Sequence, residues 1–210
     1  MLDVLFQDPI MFLLIVVALI LSISVHEFSH ALAADKLGDS TARLLGRVTL
    51  DPRKHLDPVG SLMLVVAGFG WGRPVPFNSI NLSNPRRDAA LIAFAGPMSN
   101  FVLATALYVV FRVLPEGVLS YSLFSSLNVA FVLIFLLKTN ILLGVFNLLP
   151  LHPLDGFKVV HGALPFNLAI QWQETARWGI FVLLFLVLTG TLSSIIGPLV
   201  NLFVGFLGLF

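Results

Sequence analysis

The chain has 210 residues, 58% of them hydrophobic and only 11% charged, and its mean hydropathy is +0.97. A soluble domain carries about 25% charged residues, so these side chains cannot coat a globule in water, and a membrane protein is implied. Twelve Lys and Arg against eleven Asp and Glu exclude a basic nucleic-acid binder, and the absence of cysteine excludes disulfides, a thiolate metal site and a cysteine nucleophile.

Along the chain, residues 1–9 carry Asp3 and Asp8 but no Lys or Arg, the wrong flank for a secretory signal. From Ile10 to Ala34 the only charged side chain is Glu27. The segment Asp35 to Asp57 holds Lys36, Arg43, Arg47, Arg53 and Lys54, and a later polar segment holds Arg73, Arg86 and Arg87. The apolar run between them, Pro58 to Gly70, is about a dozen residues long, too short for a span, and predicts a re-entrant or interfacial helix. The Pro/Gly-rich stretch Gly68 to Pro76 ends that helix. Leu44–Leu50 and Pro74–Phe77 read either as short strands or as irregular loop, with Pro74 and Pro76 restricting the second to a sheet edge.

Ala89 to Phe111 is uncharged and predicts a second long helix, interrupted by Gly96-Pro97-Met98-Ser99-Asn100. A third is expected from near Leu123 to Leu149; it contains Lys138 and stops at Pro150. A short helix then starts at Asp155 and is limited by Pro165. The uncharged stretch from Trp178 onward holds one or two further spans, with a break marked by Gly190, Gly197 and Pro198. Runs of roughly 20 apolar residues cross a bilayer as helices, because lipid leaves an open backbone unsatisfied. The basic residues put both polar segments on the cytoplasmic side of a multi-pass protein of the cell membrane.

Chemistry concentrates at His26-Glu27-Phe28-Ser29-His30. On a helix, positions i and i+4 share a face, so two imidazoles can reach one metal ion while Glu27, beside them, can take a proton from water. Ionisable groups inside a span are costly unless paired or binding something. A catalytic zinc usually has three protein ligands, and Asp155, in Asn147-Leu-Leu-Pro150-Leu-His152-Pro153-Leu-Asp155-Gly156, is the best third candidate; its alternative role is the N-cap of the next helix. His55 sits in a charged loop and is expected to be solvated, His152 to be a loop residue near the site, and His161 to be poorly spaced for sharing it. Asn100 could bond across helices or face the site.

HEFSH and NLLPLHPLDG, with GPMSN between them, resemble the site-2 protease family of intramembrane zinc metalloproteases. The resemblance covers about Val25 to Val160, and the loop from Gly38 to Asn81 resembles the short prokaryotic branch. It implies that His26, His30 and Asp155 ligate one Zn2+ ion per chain, that Glu27 is the catalytic base, and that Asn147 lies near the substrate. The fold implied is an all-α membrane protein, a polytopic transmembrane helix bundle with a short re-entrant helix and a few short β-strands near the cytoplasmic face. Residues 1–163 would form the protease core, with hydrophobic helices of 164–210 packed on it; no room is left for an appended PDZ-type or nucleotide-sensing domain. The partners implied are the lipid bilayer and a transmembrane protein substrate, cut in regulated intramembrane proteolysis near the cytoplasmic side. Two rival readings are a membrane metalloenzyme with a non-peptide substrate and a metal-binding transporter.

Overall fold

The first span begins where the sequence supplies a cap. Asp8 accepts a hydrogen bond from the Met11 amide at 3.0 Å, and Pro9, which has no N–H to leave unsatisfied, is the first helical residue. The computed structural model describes residues 2–67, 70–124 and 127–208. A short helix α1 (Leu2–Gln7) precedes the long α2 (Pro9–Lys36). Within α2 the hydroxyls of Ser22, Ser24 and Ser29 donate to the carbonyls of Ala18, Ile20 and Val25 at 2.7, 2.6 and 2.7 Å, so these polar groups are satisfied without water.

A helical turn α3 (Thr41–Leu44) and the helix α4 (Pro58–Ala67) follow, with a 3-10 turn at Pro52–Lys54 between them. The apolar run after Pro58 is therefore helical as expected; Gly68 and Phe69 lie outside the described residues. Asp39 is the hub of this region. It is fully buried, and its carboxylate accepts from the Thr41 amide (3.2 Å) and hydroxyl (2.6 Å), the Asn78 amide (2.7 Å) and the Asn81 side chain (2.7 Å). Burial works to raise its pKa, but the bonds from Thr41, Asn81 and Asn78 outweigh it and hold the carboxyl below its ordinary value.

Neither strand considered for the loops is present among the described residues. Leu44 closes α3, and the amides of Leu45, Gly46 and Arg47 donate to the carbonyls of Thr41, Arg43 and Ala42. Donors engaged in a helical turn are not available to a sheet ladder. Pro74 and Pro76 lack the N–H that a ladder needs, and the two loops meet instead in one isolated bridge, Leu56 opposite Gly72.

Helix α5 (Pro85–Val113) continues through Pro97 and passes from one compact unit, residues 1–96, into the other, residues 97–210. In the first unit Ala34, Leu82 and Ile92 form a small buried cluster with Ala33, Leu37 and Phe77 around it. The second unit contains α6 (Glu116–Leu119), β1 (Ser122–Phe124), β2 (Leu127–Asn128), α7 (Val129–Asn147), α8 (Asp155–Ala163), α9 (Phe166–Glu174), α10 (Ala176–Leu188) and α11 (Thr191–Phe206). The third long helix starts later than the apolar run suggests: β1 and β2 pair antiparallel before it, and Asn128 caps α7 by accepting from the Phe131 amide at 2.8 Å.

Helix α7 packs on α11, and Ala104, Leu137, Ile141, Val145, Ile196 and Val204 form the core between their helices. Helices α10 and α11 meet at an 84° bend beside Gly190, the expected break, whereas Pro198 lies inside α11. Helices α2, α5 and α7 are long and apolar enough to cross a membrane, and the bent pair makes a fourth candidate if it is one span. Their many exposed Leu, Val, Ile and Phe side chains suit lipid rather than water. The chain is an all-α membrane protein.

Candidate metal centre

His26 and His30 are four residues apart on α2, and both are buried. Their Nε2 atoms lie 3.0 Å apart, with the ring planes nearly perpendicular at 86°. The other nitrogen of His30, Nδ1, lies 2.6 Å from the Ile92 carbonyl oxygen. A carbonyl only accepts, so Nδ1 carries the proton, and the lone pair is on Nε2, facing His26.

Gly96 leaves the space in front of the two rings. A Cβ on Gly96 would stand 2.4 Å from His30 Nε2 and 2.6 Å from His26 Nε2. Two imidazoles with converging nitrogens, one oriented by a main-chain carbonyl, beside a cradle that a methyl group would fill, suit a divalent cation of the zinc type. Glu27, half-buried, is one residue from His26, and its Oε1 would be 3.3 Å from a Cβ built on Gly72. The carboxylate is thus bordered by residue 72.

In the second unit, α7 ends at Asn147 and the turn Leu148–Leu154 leads to α8, with a cis peptide bond between His152 and Pro153. Asp155 is the first helical residue of α8, while Leu154 occupies the cap position without a side-chain hydrogen bond. Asp155 is therefore not the N-cap, the alternative role for its carboxyl. Gly156 allows α8 to start against the end of α7, since a Cβ there would meet the Leu148 and Leu149 carbonyl oxygens at 2.2 and 2.4 Å. Asn147 donates its amide to the Leu143 carbonyl at 3.0 Å, along its own helix.

The family model of peptidase family M50 matches residues 14–132, which include the histidine pair and Glu27. The chain belongs to peptidase family M50. This is the site-2 protease family. The chain is 38% identical to YwhC of Bacillus subtilis over 89% of its own length and 85% of the relative's. It is 32% identical to Rip2 of Mycolicibacterium smegmatis over 94% of its own length and 75% of the relative's. Both relatives carry a zinc metalloprotease designation, as does MJ0392 of Methanocaldococcus jannaschii, 25% identical over 95% of this chain and 50% of that protein. No solved structure matches the chain. This M50 member is a membrane zinc metalloprotease, and its cofactor is zinc.

Of the residues singled out by sequence, His26, Glu27 and His30 come together in the first unit of the M50 chain, and Asn147 and Asp155 flank one turn in the second. His55 is not solvated: it is fully buried, and its Nε2 donates to the Thr49 carbonyl at 2.7 Å. Asn100 bonds across helices, donating its amide to Asn140 Oδ1 at 2.9 Å. Sequence reading missed Asn140 and Arg47, both buried. Asn140, a polar residue in a largely apolar span, carried the same signal that drew attention to Lys138; Arg47 was one of several basic loop residues with nothing to separate it from the rest.

Proposed function

We propose that this M50 protease hydrolyses peptide bonds of transmembrane or membrane-embedded proteins, within the bilayer near its cytoplasmic face, as a step of regulated proteolysis. The observation that carries the reading is the convergence of the His26 and His30 Nε2 atoms on a membrane-spanning helix, with Glu27 beside them. His26, His30 and Asp155 are the ligands in this reading, and residues 1–163 form the protease core.

A zinc ion bound by these groups supplies Lewis-acid polarisation of a peptide carbonyl and lowers the pKa of water to about 7. The rest falls to the side chains. Glu27 accepts the proton of the attacking water and returns it to the leaving amine, a general acid–base role worth about 10²–10⁴-fold in rate. The Ile92 carbonyl keeps the His30 proton on Nδ1 and the ring in place. Asn147 can turn from the Leu143 carbonyl to donate to the developing oxyanion. A substrate helix hides its peptide bonds and must open locally to be cut, which favours segments rich in helix-breaking residues.

The test pairs metal analysis with cleavage. Purified wild type should hold one zinc, and Asp155→Ala should lose it. Glu27→Gln should keep zinc while cleavage of a membrane-embedded substrate collapses. Full zinc content in Asp155→Ala would remove Asp155 from the ligand set, and unimpaired cleavage by Glu27→Gln would remove the assigned base and favour a transport or other role.

A further inference from the structure

Among the described residues Arg47 is the one arginine that the fold buries deeply, at 5% exposure, although it sits in a loop. Burying a guanidinium is costly unless its donors are engaged. Its Nη2 donates to the Arg73 carbonyl at 2.5 Å and reaches the Pro74 carbonyl at 3.5 Å, while its Nε has no hydrogen-bond partner. Burial pulls its pKa below the usual arginine range, and the Glu27 carboxylate acts the other way, so the two charges sense each other.

The segment that Arg47 holds runs alongside Glu27. Residue 72 borders Glu27 Oε1, and a Cβ there would also lie 3.0 Å from Ile23 and 3.2 Å from the His55 carbonyl oxygen. One side of the segment is fixed by the Leu56–Gly72 bridge and by the Arg73 amide, which donates to the His55 carbonyl at 2.7 Å. Pro74 has no amide to add, so beyond Arg73 the carbonyls facing Arg47 are the attachment.

We propose that Arg47 is a positioning residue: it clamps residues 72–74 against Glu27 and so sets where that carboxylate stands. The inference rests on the reading of Glu27 as the base. Arg47 itself touches no reacting atom. Its removal should loosen the segment and cost turnover, leaving the histidine pair and its metal in place.

The chain has no cysteine, so a spin label at Val75→Cys reports the segment without background. The label should be immobile in the otherwise unaltered, zinc-loaded chain, become mobile with Arg47→Met, and regain part of its order with Arg47→Lys, with zinc content equal in all three. Cleavage of a fluorogenic peptide carrying one apolar transmembrane segment should show kcat lowered about a hundredfold by Arg47→Met, with KM within about twofold of wild type. Gly72→Ala, which leaves Arg47 intact but presses a methyl toward Glu27, should lower kcat in the same way. A label equally immobile with Arg47→Met, or kcat unchanged in that variant, would overturn the proposal. Glu27→Gln separates the two readings: if its turnover is normal the base assignment fails, and if it is dead while Arg47→Met is fully active only the clamp fails.

Discussion

His30 Nδ1 lies 2.6 Å from the Ile92 carbonyl oxygen, and Gly96, one turn further along the same helix, leaves the space before His30 Nε2. One face of α5 thus both orients the His30 ring and leaves space before its Nε2. A hydrogen bond of this kind fixes the tautomer and raises the basicity of the coordinating nitrogen. If His26 and His30 are the zinc ligands, Gly96→Ala puts a methyl carbon into the space the cation would take. Zinc affinity should fall about a hundredfold or more, comparable to or beyond the loss of an outer-shell partner, while helix content by circular dichroism stays unchanged, since Ala is a better helix former than Gly. Undiminished zinc in purified Gly96→Ala would mean the cation lies elsewhere.

The parts of this arrangement written in consecutive residues were legible beforehand. His26 and His30 share a face because helical periodicity says so, and the long apolar stretches of α2 and α5 announce spans. The pairing of residues 122–124 with 127–128 was hidden because these short strands run directly into the apolar span behind them, and the cap at Asn128 marks the division. In the loop between α2 and α5 the sequence left strand and irregular backbone equally open, for another reason. Val48 and Thr49 favour strand, but long-range bonds from Asp39 and Arg47 decide the local path. Burial of His55 likewise depends on residues 72 and 73, far along the chain, and hydropathy carries no trace of that contact.

His55 gives the fold a pH dependence. Burial is the main cause lowering its pKa from 6.5; the Thr49 carbonyl opposes it, the Arg47 charge adds to it, and Asp51 opposes it. The folded chain therefore keeps His55 neutral at pH values where the unfolded chain protonates it. With more protons bound in the unfolded state, stability falls as pH drops below 6.5 and is insensitive to this group above it. Thermal midpoints of the detergent-solubilised protein should decline as pH falls below 6.5. His55→Gln retains a donor for Thr49, removes the titration, and should flatten that part of the curve; an identical slope in the variant would assign the effect to other groups.

Asn100 and Asn140 are buried at 0% and 1% exposure, and the second passes its own amide to the Leu136 carbonyl at 2.9 Å. Two amides in lipid surroundings form a relay that ends on a main-chain carbonyl. Such interhelical bonds average about 0.6 kcal/mol by double-mutant cycles and reach about 1.7. Asn100→Ala and Asn140→Ala should each destabilise the protein, and the double variant should recover a coupling energy within that range. Denaturation in mixed micelles measures it. Strict additivity would show that the two side chains act independently.

Gly156→Ala tests whether the turn after α7 sets the position of Asp155 without altering any ligand. A Cβ at Gly156 would meet the Leu148 and Leu149 carbonyl oxygens at 2.2 and 2.4 Å, and both obstacles are main chain, which cannot rotate away as a side chain would. The start of α8 must then shift away from the end of α7, carrying the adjacent Asp155 with it. Overpacking of this kind costs about 1–3 kcal/mol, so the melting midpoint should fall. If Asp155 is a zinc ligand, metal affinity should fall with it. In that reading Asp155 would be one ligand of three, so partial loss of zinc with sharply reduced cleavage is the expected pattern. A variant with a lowered melting midpoint but full zinc content and normal turnover would show that the turn stabilises the fold without governing the metal.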